Sequence, residues 1–186
     1  LPNWHEQLLF AEELNECMLS GCTGYIYWYM RAHWAFVSTG ESKYGTENKT
    51  KNKLLPRAFV MSHLSKYVTG STRLYTSPTK SSGQEDAREY SAYIKDDTTL
   101  IVMAIDTIGT GYDLKIKLPY KVKSGVHVLS TGNDSENLCQ KSEIAIDEPT
   151  RDVTVPMPAR SLNTYSFIID NDPTGISEQV RTGLDG

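Results

Sequence analysis

The chain has 186 residues, of which 39% are hydrophobic and 23% are charged, values typical of a globular protein rather than a disordered or fibrous one. Its 23 acidic and 19 basic residues give a formal net charge of −4, so charge supplies no reason to expect nucleic acid as a partner. It lacks any run of about 18 apolar residues of the kind that crosses a membrane, so no membrane partner is expected.

The first predicted element is a helix over residues 4–20. Apolar residues recur at helical spacing from Trp4 to Met18, and Asn3 is the predicted N-cap, with Glu6 as its capping-box partner. Gly21 is predicted to end the helix. The few residues before this helix resemble neither a signal peptide nor a basic leader, so we expect the chain to begin partway through a larger protein.

Residues 23–31, TGYIYWYMR, are aromatic and β-branched and predict a strand. Because they do not alternate with polar residues, we expect both faces of that strand to be covered, as in a central parallel strand. Residues 38–53 are polar and predict a long loop. Residues 54–68 return to helical spacing, with Pro56 suited to the first turn of a second helix.

From residue 71 onward, short apolar and alternating segments are separated by turn residues, which predicts an antiparallel β-sandwich. The candidate strands are 72–77, 88–95, 99–107, 112–119, 125–131, 141–147, 151–155 and 163–170. The predicted organisation is therefore an α/β part over 1–70, a sandwich domain over 71–170 and a tail or linker over 171–186. One strand between two helices cannot form a sheet without partners, so we expect the first part to be incomplete.

Four segments of this sequence resemble glycoside hydrolase family 30 (GH30), most closely its bacterial xylanases and glucuronoxylanases. GYIYWYMR at 24–31 is similar to the last barrel strand of the family, and RAFVMSHLSKYVTG at 57–70 is similar to the helix that follows it. EYSAY at 89–93 and MPARSLNTY at 157–165 are similar to sandwich segments. The four occur in the family's order, and the resemblance covers about residues 4–170.

The resemblance implies a mixed, mainly β fold, in which the last helix–strand–helix of a (β/α)8 barrel precedes an antiparallel β-sandwich side domain. It also implies a retaining endo-β-1,4-xylanase that acts on xylan or glucuronoxylan, with two catalytic carboxyl groups about 5 Å apart. In the family both glutamates precede the position of Leu1, so no catalytic residue is expected in this chain, which alone is predicted to be inactive. Glutamates of the first helix are predicted to form only a solvated face; they are Glu6, Glu12, Glu13 and Glu16. Neither a cofactor nor a metal site is expected.

The expected substrate-binding residues are Trp28, Tyr29, Arg31 and Trp34, at the end of the predicted barrel strand. An indole face packs against the C–H face of a pyranose, and a guanidinium donates to hydroxyls or to a glucuronate carboxylate. Two alternatives stay open: Trp28 is a buried strand aromatic, or Arg31 forms a structural ion pair.

The sequence also departs from the family pattern directly after Arg31. Ala32, His33 and Trp34 stand where the family has Arg, Ser and Tyr, which leaves recognition of a methylglucuronate branch open. The loop 38–53 is longer than in the family. Together with aromatic residues near it (Trp34, Phe36 and Tyr44), this loop either extends the substrate groove or is a surface insertion.

The alternative function is a non-catalytic module that binds xylan or a related β-glycan, with Tyr75, Tyr90 and Tyr93 as a sugar platform on the sandwich. His63 is predicted to be a core histidine with satisfied hydrogen bonds. The three cysteines are predicted to be free buried thiols, with a Cys17–Cys22 or a Cys22–Cys139 bridge as alternatives. We expect a secreted, periplasmic or cell-surface location in a bacterium, and self-association through exposed barrel surfaces.

Overall fold

The computed structural model describes residues 3–27, 30–31, 35–41, 50–78 and 88–170, without the side chain of Ser135. Helix α1 comprises Trp4–Leu19, and helix α2 comprises Pro56–Tyr67. Seven strands follow: β1 Thr72–Leu74, β2 Arg88–Lys95, β3 Thr99–Asp106, β4 Tyr112–Ser130, β5 Gln140–Ile144, β6 Thr150–Met157 and β7 Ser161–Ile169. A short 3-10 helix, Ser135–Asn137, lies between β4 and β5. Neither α-helix has the length and apolar content that crossing a membrane would require.

Both helices begin and end where the local sequence predicts. The Asn3 side chain accepts the N–H of Glu6 at 3.0 Å and so caps α1. At the other end, Gly21 adopts a φ of 89°, a left-handed conformation in which a side chain would be strained. Pro56 is at the first position of α2, where no N–H is required, and Gly70 follows that helix with a φ of 78°.

All strand pairs are antiparallel, and the strand order of the sheet is β1-β2-β3-β7-β4-β5. Strand β6 pairs with the first half of β4, whereas the second half of β4 lies between β7 and β5. The antiparallel, mainly β prediction is thus confirmed.

The predicted separation of 112–119 from 125–131 is wrong, because one strand of 19 residues runs through both. The pairing register shifts between Lys117 and Val122 and again between Val122 and Ser124, where β4 leaves β6 and joins β7. Pro119 lies in this interruption, so its missing N–H removes no ladder hydrogen bond. Pro119 therefore lies at an irregularity within one strand and not in a turn between two strands.

Two hydrophobic clusters cover the two faces of the sheet. The first lies between the helices and the sheet and includes Leu8, Leu14, Val60, Met103 and Leu162. The second lies between the opposite face and the β4–β6 arm, and it includes Val102, Val122, Val155, Tyr165 and Phe167. Because the helices share a cluster with the sheet, they pack directly on it. The domain boundaries at 70 and 170 stay a prediction.

The predicted strand over 23–31 does not form within the described residues. Residues 23–27 are irregular, and only an isolated parallel bridge joins Arg31 to Val37. Ile26 is 96% exposed, so this segment is not covered on both faces as predicted. The physical reason is that a strand needs hydrogen-bonding neighbours along its length, and the described residues pair with this segment only at its end, next to Arg31.

Candidate functional site

The segment that precedes the predicted substrate-binding residues is attached to α1 through Tyr25. The Tyr25 hydroxyl donates to Glu13 Oε1 at 2.8 Å, and its ring meets Phe10 edge-on at a centroid distance of 6.4 Å. Partial burial, followed by the hydrogen bond to Glu13 and its negative charge, raises the pKa of Tyr25 to about 12. Tyr25 therefore donates this hydrogen bond throughout the physiological pH range.

Tyr27, directly before Trp28, is held more firmly by an aromatic and cationic cluster. Its ring stacks on Phe36 at 4.5 Å and lies 5.2 Å from Phe10. Its hydroxyl accepts from Arg57 at 2.7 Å, and the Arg57 guanidinium also lies 4.7 Å from the centre of the Phe10 ring. Phe36 thus packs against the segment through its ring contact with Tyr27, and a role for it in extending a groove stays a prediction.

Backbone hydrogen bonds fix the chain on both sides of the long loop. The N–H of Val37 donates to Met30 O at 3.0 Å, next to the bridge at Arg31. The N–H of Leu55 donates to Phe36 O at 2.8 Å, and Val37 pairs with Leu54 in a single antiparallel bridge. The end of the predicted strand and the start of α2 are therefore joined through residues 36–38.

Arg31 is the predicted site residue that the structure describes. Its side chain is exposed and, in the described part of the chain, forms no ion pair; whether its role is sugar binding or a structural ion pair stays a prediction. The other three predicted residues lie outside the described residues, as does Tyr44; they are Trp28, Tyr29 and Trp34. That these residues lie together with Arg31 in one site stays a prediction. The contacts of Tyr25 and Tyr27 before them, and the backbone hydrogen bond of Val37 after them, are established.

The acidic face of α1 differs from the predicted solvated face at one position. Glu6, Glu13 and Glu16 are exposed, but Glu12 is half-buried against the sheet. Partial burial, the largest cause, raises the pKa of Glu12, and it also raises the pKa of Glu89 on β2. Asn15 Nδ2 donates to Glu89 Oε2 at 2.8 Å. These carboxyl groups face the helix–sheet interface.

The prediction that His63 is a core histidine with satisfied hydrogen bonds is confirmed. The ring is fully buried, with Nδ1 2.8 Å from Thr164 Oγ1 and Nε2 2.9 Å from Ser130 Oγ. A second buried histidine, His127, has Nε2 2.9 Å from Asn163 Oδ1. Among the described residues, no group of three or more His, Cys, Asp or Glu side chains is arranged to hold a metal ion.

The three tyrosines proposed as a sandwich platform do not share a surface. Tyr75 is 90% exposed, whereas Tyr93 is 3% exposed and faces the helices. Tyr90 points to the opposite face of β2, where its hydroxyl hydrogen-bonds that of Tyr112. Strand positions an odd number of residues apart point to opposite faces, which is why Tyr90 and Tyr93 of β2 separate.

All three cysteines are free, as predicted, but they are not buried. Cys22 is exposed, and Cys17 and Cys139 are half-buried.

By sequence, the chain matches no protein-family model and no curated protein. Solved structures match it closely in fold. The GH30 endoxylanase from Clostridium papyrosolvens C71 is 22% identical and has a TM-score of 0.64, over 87% of this chain and 38% of its own. The GH30 subfamily 8 xylanase from Clostridium acetobutylicum is 18% identical, with a TM-score of 0.67 over 89% of this chain and 39% of its own. The chain has the fold of a segment of these xylanases.

A fungal enzyme extends the likeness. The catalytic domain of GH30 xylanase C from Talaromyces cellulolyticus is 17% identical, with a TM-score of 0.61 over 90% of this chain and 35% of its own. The chain thus spans between 35% and 39% of the length of these three proteins. The predicted family resemblance is confirmed at the level of the fold.

Sequence reasoning missed the residues that hold the segment 23–27 in place next to α1 and α2. Arg57 lies within one of the family-like segments, but its contacts with Tyr27 and Phe10 depend on the packing of α1 against α2. The available signal was the density of aromatic residues before and after the loop, which favours ring stacking.

Proposed function

We propose that this chain is part of a xylanase-like glycoside hydrolase and contributes one wall of its sugar-binding site. The observation that carries the proposal is the shared fold with three GH30 xylanases over 87% to 90% of this chain. The wall consists of Trp28, Tyr29, Arg31 and Trp34. Its substrate is xylan or a related β-glycan.

The attachments around this wall support a binding role. Tyr27 is fixed by Arg57 and Phe36, so the backbone that leads into Trp28 starts from a defined position. Arg31, exposed and without an ion pair in the described chain, is available to donate to sugar hydroxyls or to a glucuronate carboxylate.

Hydrolysis by this chain alone is not part of the proposal. A retaining mechanism needs two carboxyl groups about 5 Å apart on either side of the scissile bond. Glu12 and Glu89, the half-buried glutamates described above, are partly buried where α1 packs on the sheet, and Glu89 accepts a hydrogen bond from Asn15 of α1. We therefore propose that both catalytic glutamates belong to another part of the enzyme. Release of reducing sugar from xylan by the purified chain would contradict this statement.

Native electrophoresis in gels that contain soluble xylan tests the binding role. Wild-type chain is expected to be retarded by xylan, and Trp28→Ala is expected to lose most of the retardation. Tyr75→Ala is the matched control, because that ring is 90% exposed and directly follows β1, far in sequence from the proposed wall. Retardation that is lost only in Tyr75→Ala would favour the alternative, a glycan-binding module that uses the sheet. Absence of retardation in wild type would refute glycan binding by this chain.

The proposed substrate also implies a location. Polymeric xylan is too large to enter a cell intact, so an enzyme that acts on it works outside the cytoplasm. We propose a secreted, periplasmic or cell-surface protein. Detection of the protein only in the cytoplasmic fraction of its source would contradict this.

A further inference from the structure

Cys17 and Cys22 lie at the two positions that are brought together by the C-terminal end of α1. The N–H of Cys22 donates to the carbonyl of Cys17 at 3.0 Å, and the N–H of Gly21 donates to that of Met18 at 3.1 Å. These two bonds, with Gly21 at a φ of 89°, form a Schellman motif. In this motif the side chains of the residues at Cys17 and Cys22 meet, usually as a hydrophobic contact.

Here the two side chains that meet are thiols. The backbone hydrogen bond from Cys22 N to Cys17 O sets these two residues side by side at the end of the helix. A disulfide requires Cα atoms about 4.4–6.8 Å apart and side chains that point toward each other, as the first and last side chains of a Schellman motif do. Cys22 is exposed and Cys17 is half-exposed, so a small oxidant can reach the pair.

We propose that Cys17 and Cys22 form an oxidisable pair that closes to a disulfide across the C-terminal end of α1. The oxidant is a small-molecule disulfide of the glutathione type. The exposed Cys22 thiolate attacks the oxidant and releases one glutathione thiolate, which takes up a proton. The Cys17 thiolate then attacks the Cys22 sulfur of the mixed disulfide and releases the second glutathione. In total, the two thiols lose two electrons and two protons, and the oxidant is reduced to two thiols.

Cys139 is not an alternative partner in this structure. Its sulfur lies 3.3 Å from Ser62 Oγ and 3.6 Å from the carbonyl of Phe59, on the side of α2. Its backbone is fixed by a hydrogen bond from Cys139 N to Ser130 Oγ at 2.8 Å. Cys139 therefore serves as an internal control that stays reduced.

The inference is independent of the proposed function, because it rests only on the end of α1. If the bridge forms, residues 17–22 are fixed directly before the segment that contains Tyr25 and Tyr27. Hydrogen exchange at the amides of Gly21 and Cys22 is then expected to become slower, because opening of the helix end requires the constrained loop to move.

Peptide mapping after oxidation tests the proposal. The purified chain is incubated with oxidised and reduced glutathione in a mildly alkaline buffer, then alkylated and cleaved with trypsin without reduction. Cleavage after Arg31 leaves Cys17 and Cys22 in one peptide, 1–31, while Cys139 lies in peptide 124–141. Peptide 1–31 is expected to lack two hydrogens and both alkyl groups, whereas peptide 124–141 carries one alkyl group. Two alkylated cysteines in 1–31, two glutathione adducts there, or a bridge to 124–141 would overturn the proposal.

Three variants test which cysteines form the bridge and whether the Schellman motif brings them together. Cys139→Ser is expected to keep the bridge, and Cys17→Ser is expected to stop at a mixed disulfide on Cys22. Gly21→Ala meets no atom within 4 Å but is strained at a positive φ, so the bridged fraction relative to mixed disulfide is expected to fall about fivefold or more. An unchanged ratio in Gly21→Ala would contradict the claim that the Schellman motif brings the two thiols together.

Discussion

Mild acid is expected to destabilise this chain through His63. The ring is fully buried and is held as the neutral imidazole by two hydroxyl neighbours, Thr164 and Ser130. Burial, and to a lesser extent the nearby His127, lowers the pKa of His63 from 6.5 to about 3. A charged imidazolium at this position would lie in the core without a carboxylate partner.

The sign and the size follow from proton linkage. As the pH falls below 6.5, the unfolded chain binds a proton at His63 before the folded chain does. The stabilisation is therefore complete above pH 6.5 and is lost progressively as the pH falls toward 3. The loss amounts to about 2 kcal/mol at about pH 5 and approaches roughly 5 kcal/mol at the low end. His127 acts in the same direction, because burial also lowers its pKa.

Urea unfolding from about pH 8 to about pH 5 measures this loss. His63→Gln is expected to be less stable at pH 8, since a well-packed, hydrogen-bonded ring is replaced, but to lose less free energy of unfolding toward pH 5. His5→Gln, at an exposed histidine, is the control and should follow wild type. Equal losses in wild type and His63→Gln would refute the reasoning. If His63→Gln does not fold, NMR titration of the native ring provides the test, and a pKa near 6.5 would refute it.

Three further predictions concern packing and association. Asp106→Ala removes a buried carboxylate that lies 2.8 Å from Arg88 Nε. This change should lower the free energy of unfolding in urea by about 3–5 kcal/mol. A loss below about 1 kcal/mol, the value of an exposed ion pair, would contradict the prediction. Gly125→Ala places a Cβ 2.8 Å from a ring carbon of Phe167 on β7 and should lower the free energy of unfolding by about 1–3 kcal/mol. Gly109→Ala, whose Cβ would have no atom within 4 Å, should lower it far less. Equal melting temperatures of the two variants would contradict this prediction. Self-association through the exposed segment around Ile26 should appear in sedimentation at high concentration and weaken in Ile26→Ser, while a strictly monomeric mass would argue against it.

Local rules were sufficient for the helix ends. Asn3 caps α1, Gly21 ends it in a left-handed conformation, and Pro56 begins α2. Each of these features depends on residues within one turn of the helix, so the sequence contains all the information they need. The positions of most strands were also predictable, because alternation and turn residues are local patterns.

Long-range packing decided whether residues 23–31 form a strand and where β4 changes its partner strand. The 23–31 segment has strand composition, but a strand exists only when neighbours satisfy its backbone, and the described residues offer a single bridge at Arg31. The bend in β4 depends on an exchange of partners from β6 to β7.

The candidate site shows the same division. Aromatic composition favoured ring stacking around the predicted site, but only the packing of α1 against α2 places Arg57 on Tyr27 and Phe10. The separation of Tyr90 from Tyr93, in contrast, follows from alternation along one strand, which is a local pattern. The sequence by itself determined the helix ends, the positions of most strands and the family-like segments. The tertiary structure determined which of those residues meet, because contacts between residues far apart in sequence depend on the whole core.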